Sequence, residues 1–358
     1  MSDALVSTFF ELVRIDSESG KEDEFLLYLK RLLEEEFKAD CRLDRYGNLI
    51  SSFPGKDSSA LPVLFGCHAD TVSPGTGIEP VLEGDTIRSK GETVLGADNK
   101  AGIAELIEAI RTADRHPPLE IVVTKEEETG LKGSRNLDFS QITAKVGFVV
   151  DGDVLDTVVI GGPSHMLIDV EITGKAAHAG MEPEKGISAI KAASFGIAML
   201  KEGRVDDETT VNVGIIQGGQ ARNSVPDKAE VKAECRSLNH EKCLAQGELI
   251  KAVFEVAARA VGAKAKIESE LAYKAVSIPE DTKVVEIAKQ AVASVGITPK
   301  VKVICGGTDA SIYNEKGIQC VVIGTGVQQE HTTDECIAVS DMEKAVKMIR
   351  RIFNETSM

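Results

Sequence analysis

A chain of 358 residues, 42% of them hydrophobic, is long enough for two domains or one large one with a real core. Its 57 acidic against 41 basic residues give a formal charge of -16, which repels nucleic acid and anionic membrane and so excludes a polyanionic partner. Seven cysteines without a CxxC pair read as reduced thiols, the acidic amphipathic N-terminus lacks a basic signal segment, and no apolar stretch reaches bilayer length, which together predict a cytoplasmic protein without a membrane partner.

Apolar spacing in "LVSTFFELVRI" and "EDEFLLYLKRLLEEEF" predicts two helices, and alternation in "CRLDRYGNLISSF" predicts one strand. "LPVLFGC" is a short continuous run suited to a strand buried on both faces. A Gly/Pro-rich loop, a hairpin around "LEGDTIRS" and a helix over "NKAGIAELIEAIRTAD" follow it. The strands "LEIVV" and "VGFVV" come next, with a short helix between them. Such alternation predicts an α/β fold: a mixed, mostly parallel sheet flanked by helices, with its chemistry at the carboxyl ends of the strands. From about residue 165 the pattern becomes strand, helix, strand, strand, helix, strand, including a long helix over about 241–260. This predicts an inserted α+β domain with an antiparallel sheet, residues 165–272. The first domain is then residues 1–164 and 273–358, completed by "KVVEIAKQAVASVG", "DASIYNEKG", "IQCVVIG" and "MEKAVKMIRRIF".

Polar residues at the predicted strand ends form a pattern. His68 and Asp70 follow "VLFGC", Asp98 precedes a helix, Glu127 and Glu128 follow "LEIVV", and Asp151 follows "VGFVV". Singly, Asp98 reads equally well as a helix N-cap and Asp151 as the start of a turn. Jointly, converging carboxylates repel one another unless positive charge sits among them, and a metal pair resolves that conflict. Oxygen and nitrogen donors without nearby thiolates suit zinc, cobalt or manganese. One carboxylate can bridge two such ions about 3.5–4 Å apart, with a bridging water that becomes hydroxide near neutral pH. Of two neighbouring glutamates at a strand end, one can ligate metal while the next points to that water; Glu126, the third, reads as solvated surface.

The ordered motifs "HAD", "GADNKAG", "EEETG", "VVDGD" and "EHTTDE" resemble those of the co-catalytic metallopeptidases that include carboxypeptidase G and tripeptidase T. The resemblance spans essentially the whole chain and is closest to the tripeptidase T-like members. It implies a zinc-peptidase-like catalytic domain and an inserted lid that also serves dimerisation. By motif, His68 and Asp151 would bind one metal and Glu128 and His331 the other, with Asp98 bridging. Asp70 would orient His68, and Glu127 would be the general base. His178 in "GKAAHAG" matches a lid histidine that stabilises the oxyanion, usually across a dimer interface, although alone it reads as a surface residue. Asn223, Arg236 and the loop Gly307, Thr308 and Asp309 match positions near the substrate. Arg236 is open to two readings, a peptide carboxylate or a lid acid as partner. His116 and His240 read as non-catalytic, and His165 as a marker of the crossing into the lid. The implied activity is hydrolysis of short peptides by a homodimer, with release of the N-terminal residue. The alternatives are hydrolysis of N-acyl amino acids or related amides at the same centre, and a metal-binding protein without turnover.

Overall fold

The computed structural model describes residues 2–56 and 60–357. The chain divides into two compact units, one of residues 1–161, 277–303 and 307–358, the other of residues 162–276 and 304–306. Residues 304–306, expected in the first domain, pack in the second unit, where Cys305 Sγ lies 3.7 Å from the carbonyl oxygen of Glu208. No helix of the described residues is long and apolar enough to cross a membrane.

The first unit is built on a nine-stranded sheet. Three neighbouring strands at its centre, Leu119–Thr124, Val63–His68 and Val146–Gly152, run parallel. The first two are buried at every position, so alternate side chains serve opposite faces. Phe65, Ile121, Val123 and Phe148 join a core formed with the helices Ser2–Val13, Asp23–Phe37, Ala97–Thr112, Lys283–Ser294 and Val339–Thr356. Leu64, Val122 and Val149 join another with Leu137, Ala310 and Tyr313. Gln319–Gly324 runs parallel to Val146–Gly152 and antiparallel to Thr157–Gly162, which gives the mixed, helix-flanked sheet expected of the sequence.

Three local features depart from the sequence reading. "CRLDRYGNLISSF" is an antiparallel pair, Asp40–Leu43 and Leu49–Phe53, rather than one strand. Asp44 turns the chain: its Oδ1 accepts the N–H groups of Tyr46, Gly47 and Asn48 at 2.9, 2.9 and 3.0 Å, and Gly47 has φ 104°. The strands Thr157–Gly162 and Lys300–Val303 were not anticipated; the latter is largely exposed and carries no buried stripe to reveal it. The anticipated hairpin, Pro80–Glu83 with Thr86–Ser89, joins Cys336–Ala338 and Val327–Gln328 in a separate four-stranded sheet.

The second unit has the expected strand and helix order. Its antiparallel sheet runs Gly203–Arg204, Thr209–Gly218, Lys228–Ser237, Ser164–Thr173, Lys264–Tyr273. Ile168, Val170, Val231 and Cys235 pack with Ala192, Ile250 and Phe254 of the helices Ala189–Met199 and His240–Ala260. A Cβ on Gly196 would lie 2.4 Å from the Phe254 ring, so the helix–helix contact requires glycine there.

Phe65 is fully buried, stacks on Phe148 at 5.6 Å between ring centroids and meets Phe353 edge-on at 5.3 Å. Phe65→Ala is expected to cost about 3–5 kcal/mol, read as a lower denaturant midpoint of the metal-free protein.

Candidate metal centre

The parallel strands bring their carboxyl ends to one rim. His68 ends Val63–His68, Asp151 lies near the end of Val146–Gly152, and Glu127 and Glu128 occupy the turn after Leu119–Thr124. Asp98 stands at the start of helix Ala97–Thr112, where its φ of -79° and ψ of 102° are not yet helical. Its carboxylate is directed at two imidazoles. Oδ1 lies 2.9 Å from His68 Nε2 and Oδ2 3.2 Å from His331 Nε2. His331 Nε2 is also 2.8 Å from Glu128 Oε1, and His68 Nε2 is 3.3 Å from Asp151 Oδ1. Five residues scattered through the sequence therefore meet. The ring of His331 is half-exposed, on a loop between Val327–Gln328 and Cys336–Ala338 whose Gln329 and His331 have φ of 56° and 62°.

Asp70 links this cluster to the glutamate turn. His68 Nδ1 is 2.9 Å from the backbone carbonyl of Asp70 and 3.5 Å from its carboxylate. The carboxylate itself accepts the N–H of Glu127 at 2.9 Å, the N–H of Glu128 at 3.2 Å and the Ser19 hydroxyl at 2.7 Å. Glu126 is not the solvated residue expected: with φ 49° it accepts the Tyr46 hydroxyl at 2.6 Å and pairs with Lys132 at 2.8 Å. Glu335, missed by the sequence reading although it ends the quoted "EHTTDE", is buried and accepts the N–H groups of Gly96 and Asp98, each at 2.8 Å. It ties the Asp98 turn to the His331 loop.

Charge and burial compete throughout. Burial opposes ionisation of Asp98, yet hydrogen bonds from His331 and His68 outweigh it and hold its pKa well below the usual carboxylate range. Hydrogen bonds to Asp98 and Glu128 push His331 up to about 11. Burial pushes Asp151 up to about 7, against the attraction of His68. Burial likewise raises Glu127 well above the ordinary carboxyl value; His68 opposes the rise, and the charges of Asp151, Asp309 and Glu128 add to it. A donor set of this kind fits divalent cations. Ligand atoms of His68, Asp98 and Glu128 lie within 4.8 Å of one another, and buried Asp151 Oδ1, 3.3 Å from His68 Nε2, has no well-aligned hydrogen-bond donor among the described residues.

The other residues singled out in the sequence sit as follows. Thr308 precedes helix Asp309–Glu315 as its N-cap, next to Gly307; Asp309 is buried and accepts the Thr124 hydroxyl. In the second unit, exposed His178 and Asn223 come together, with Ala179 N–H donating to the Asn223 carbonyl at 2.9 Å. His178 Nδ1 accepts the N–H groups of Gly180 and Met181 at 3.2 Å each, so the ring proton resides on Nε2. Arg236 pairs with a lid acid: its Nε and Nη2 reach Glu234 at 3.2 and 3.3 Å, and Glu234 also contacts His165 Nε2 at 2.8 Å. Bonded to His165 and Arg236, Glu234 is held down to about 2. His240 Nδ1 meets the Ser164 hydroxyl at 2.9 Å, and His116 is buried with Nδ1 at 2.8 Å from the Pro117 carbonyl.

The chain is similar over its whole length to known peptidases. Residues 163–261 match the M20-type peptidase dimerisation domain and residues 48–187 match peptidase family M28. An uncharacterised Bacillus subtilis protein, YqjE, is 39% identical over 365 residues, spanning 99% of this chain and 98% of its own. The crystal structure of aminopeptidase PepT from Bacillus cereus is 36% identical with a TM-score of 0.87, and that of a Staphylococcus aureus tripeptidase 32% identical with a TM-score of 0.92. Each covers 100% of this chain and 99% of the other.

Glu335→Ala leaves two amides of the Asp98 turn without their acceptor, at about 1–3 kcal/mol each. It is expected to weaken divalent-cation binding about 10- to 100-fold, measured by competition with a chromogenic chelator.

Proposed function

Because the chain belongs to the tripeptidase T-like peptidases of the M20 metallopeptidase family, we propose that it releases the N-terminal residue of tripeptides and similarly short peptides at a centre of two divalent cations. The observation that carries this reading is the Asp98 carboxylate, one oxygen against the imidazole of His68 and the other against that of His331. His68 and Asp151 would hold one cation, Glu128 and His331 the other, and Asp98 both. The nitrogen and oxygen donors suit zinc, with cobalt or manganese as substitutes. Divalent cations held there supply Lewis acidity, which polarises a peptide carbonyl and acidifies water.

The protein's own groups then handle protons and position. Glu127, a buried carboxylate whose burial raises its affinity for a proton, takes one from the attacking water and passes it to the leaving amine. Asp70 keeps this side chain in place through the Glu127 N–H. His178, whose proton is on Nε2, donates to the developing oxyanion. Asn223, Gly307 and Thr308 contribute to the substrate surface, with Asp309 supporting that loop from within. Arg236 offers the edge not used by Glu234 to the peptide carboxylate.

A homodimer through the lid is part of the same reading. Gly203–Arg204 covers only Thr210 and Val211 on the outer edge of strand Thr209–Gly218, and Ile215 and Ile216 further along are 46% and 50% exposed. That edge and the matched dimerisation domain support pairing with a second copy, which would deliver His178 to its partner's centre.

Glu127→Gln is expected to keep its metal content and lose about 10²- to 10⁴-fold in kcat; wild-type turnover with metal bound would remove Glu127 from the base role. Mass spectrometry of products from tripeptides, N-blocked tripeptides and N-acyl amino acids should show a free N-terminal amino acid from the first class alone. Chelation should abolish that release, and zinc, cobalt or manganese should restore it.

A further inference from the structure

The segment "RIDSESGKE", residues 14–22, joins the first two helices and has no part in the function proposed above. It is laid against the metal centre by several bonds. Ser17 Oγ donates to the Ala69 carbonyl at 2.7 Å, Thr71 N–H donates to the Ser17 carbonyl at 3.0 Å, and Ser19 N–H donates to the Thr71 carbonyl at 3.2 Å. Ser19 Oγ donates to Asp70 at 2.7 Å.

Glu22 ends this segment, is fully buried and makes no side-chain cap to the helix Asp23–Phe37 that it precedes. It reaches the other way. Its Oε1 accepts the N–H of Gly20 at 2.8 Å and the N–H of Glu126, 104 residues along the chain, at 3.1 Å. Three consecutive amides thus end on buried carboxylates: Glu126 on Glu22, Glu127 and Glu128 on Asp70. Glu22 Oε2 is buried without a hydrogen bond and faces Lys125 Nζ at 3.6 Å. A buried carboxylate that accepts two backbone amides and faces an ammonium group fixes the position of the backbone it holds, because those amides have no water to turn to.

We propose that Glu22 is a positioning residue for the hydrolysis: it holds the turn in which Glu126 has φ 49°, so that Glu127 and Glu128, neighbours in sequence, face separate tasks. This rests on the reading of Glu127 as base and Glu128 as metal ligand. Asp70 grips the second and third amides of the turn; without Glu22 the first loses its acceptor, and the backbone at Glu126 can shift relative to Asp70. A displacement of about 1 Å at a reacting group is enough to slow turnover about 10²-fold.

The test compares purified wild type, Glu127→Gln, Glu22→Ala, Glu22→Gln and Glu22→Asp on one tripeptide, with metal content measured for each. Glu22→Ala should lose about 10- to 100-fold in kcat, with KM within about twofold and both metals retained. Glu22→Gln should recover most of that loss, because an amide oxygen accepts the same two N–H groups; a residue that only supported the fold would not separate kcat from KM in this way. Should Glu22→Ala not fold, Glu22→Asp, one methylene short of the Glu126 amide, should show the same kcat loss. Wild-type kcat in the shortened variants, a loss confined to KM or to metal content, or a Gln variant as slow as the Ala variant overturns the role of Glu22. Wild type that cleaves no peptide, or Glu127→Gln at full activity, overturns the reading beneath it instead.

Discussion

The constraint on which this site depends is the crowding of negative charge at the carboxyl edge of three parallel strands. Asp98, Glu127, Glu128 and Asp151 share a region largely closed to water, where like charges repel far more strongly than in solvent. Two imidazoles relieve part of that repulsion, and the opposed shifts at Asp98 and Asp151 record how unevenly. The divalent cations proposed for this site would relieve the rest. The parallel arrangement of Leu119–Thr124, Val63–His68 and Val146–Gly152 makes the crowding possible, because it sends three successive strand ends to the same rim.

Much of this was legible in the chain. The continuous apolar runs "LPVLFGC" and "LEIVV" suited strands covered on both faces, and the acids behind them marked the rim. What escaped the reading was short or dependent on long-range partners. Alternation ran through "CRLDRYGNLISSF" without revealing that Asp44 gathers three amides and folds the segment back. Val327–Gln328 and Cys336–Ala338 are two and three residues long, below the length at which periodicity carries a signal. Glu126 looked like surface because its partners, Tyr46 and Lys132, are brought to it only by the fold.

A single device recurs through the catalytic unit: carboxylates whose work is to hold backbone amides. Asp44 gathers a hairpin turn, Asp70 the glutamate turn, Glu335 the Asp98 turn, and Glu120 the amides of Thr143 and Ala144. Loops that present functional side chains lack the repetitive pairing of helices and sheets, so their amides need acceptors from elsewhere. The acidic composition is therefore partly structural. It is built into the loops around the candidate metal centre as well as spread over the surface.

The order of strands in the central sheet also bears on biogenesis. Val146–Gly152 and Thr157–Gly162 are nearly consecutive in the chain, yet Gln319–Gly324 lies between them. A nascent polypeptide emerging from the ribosome completes both flanking strands long before the one that fills the gap. Until residue 319 appears, two apolar strand edges stand unpaired, which is the circumstance that invites aggregation and chaperone capture. The inserted unit occupies that interval, so the time taken to synthesise it is also the time for which the unfinished sheet must be shielded.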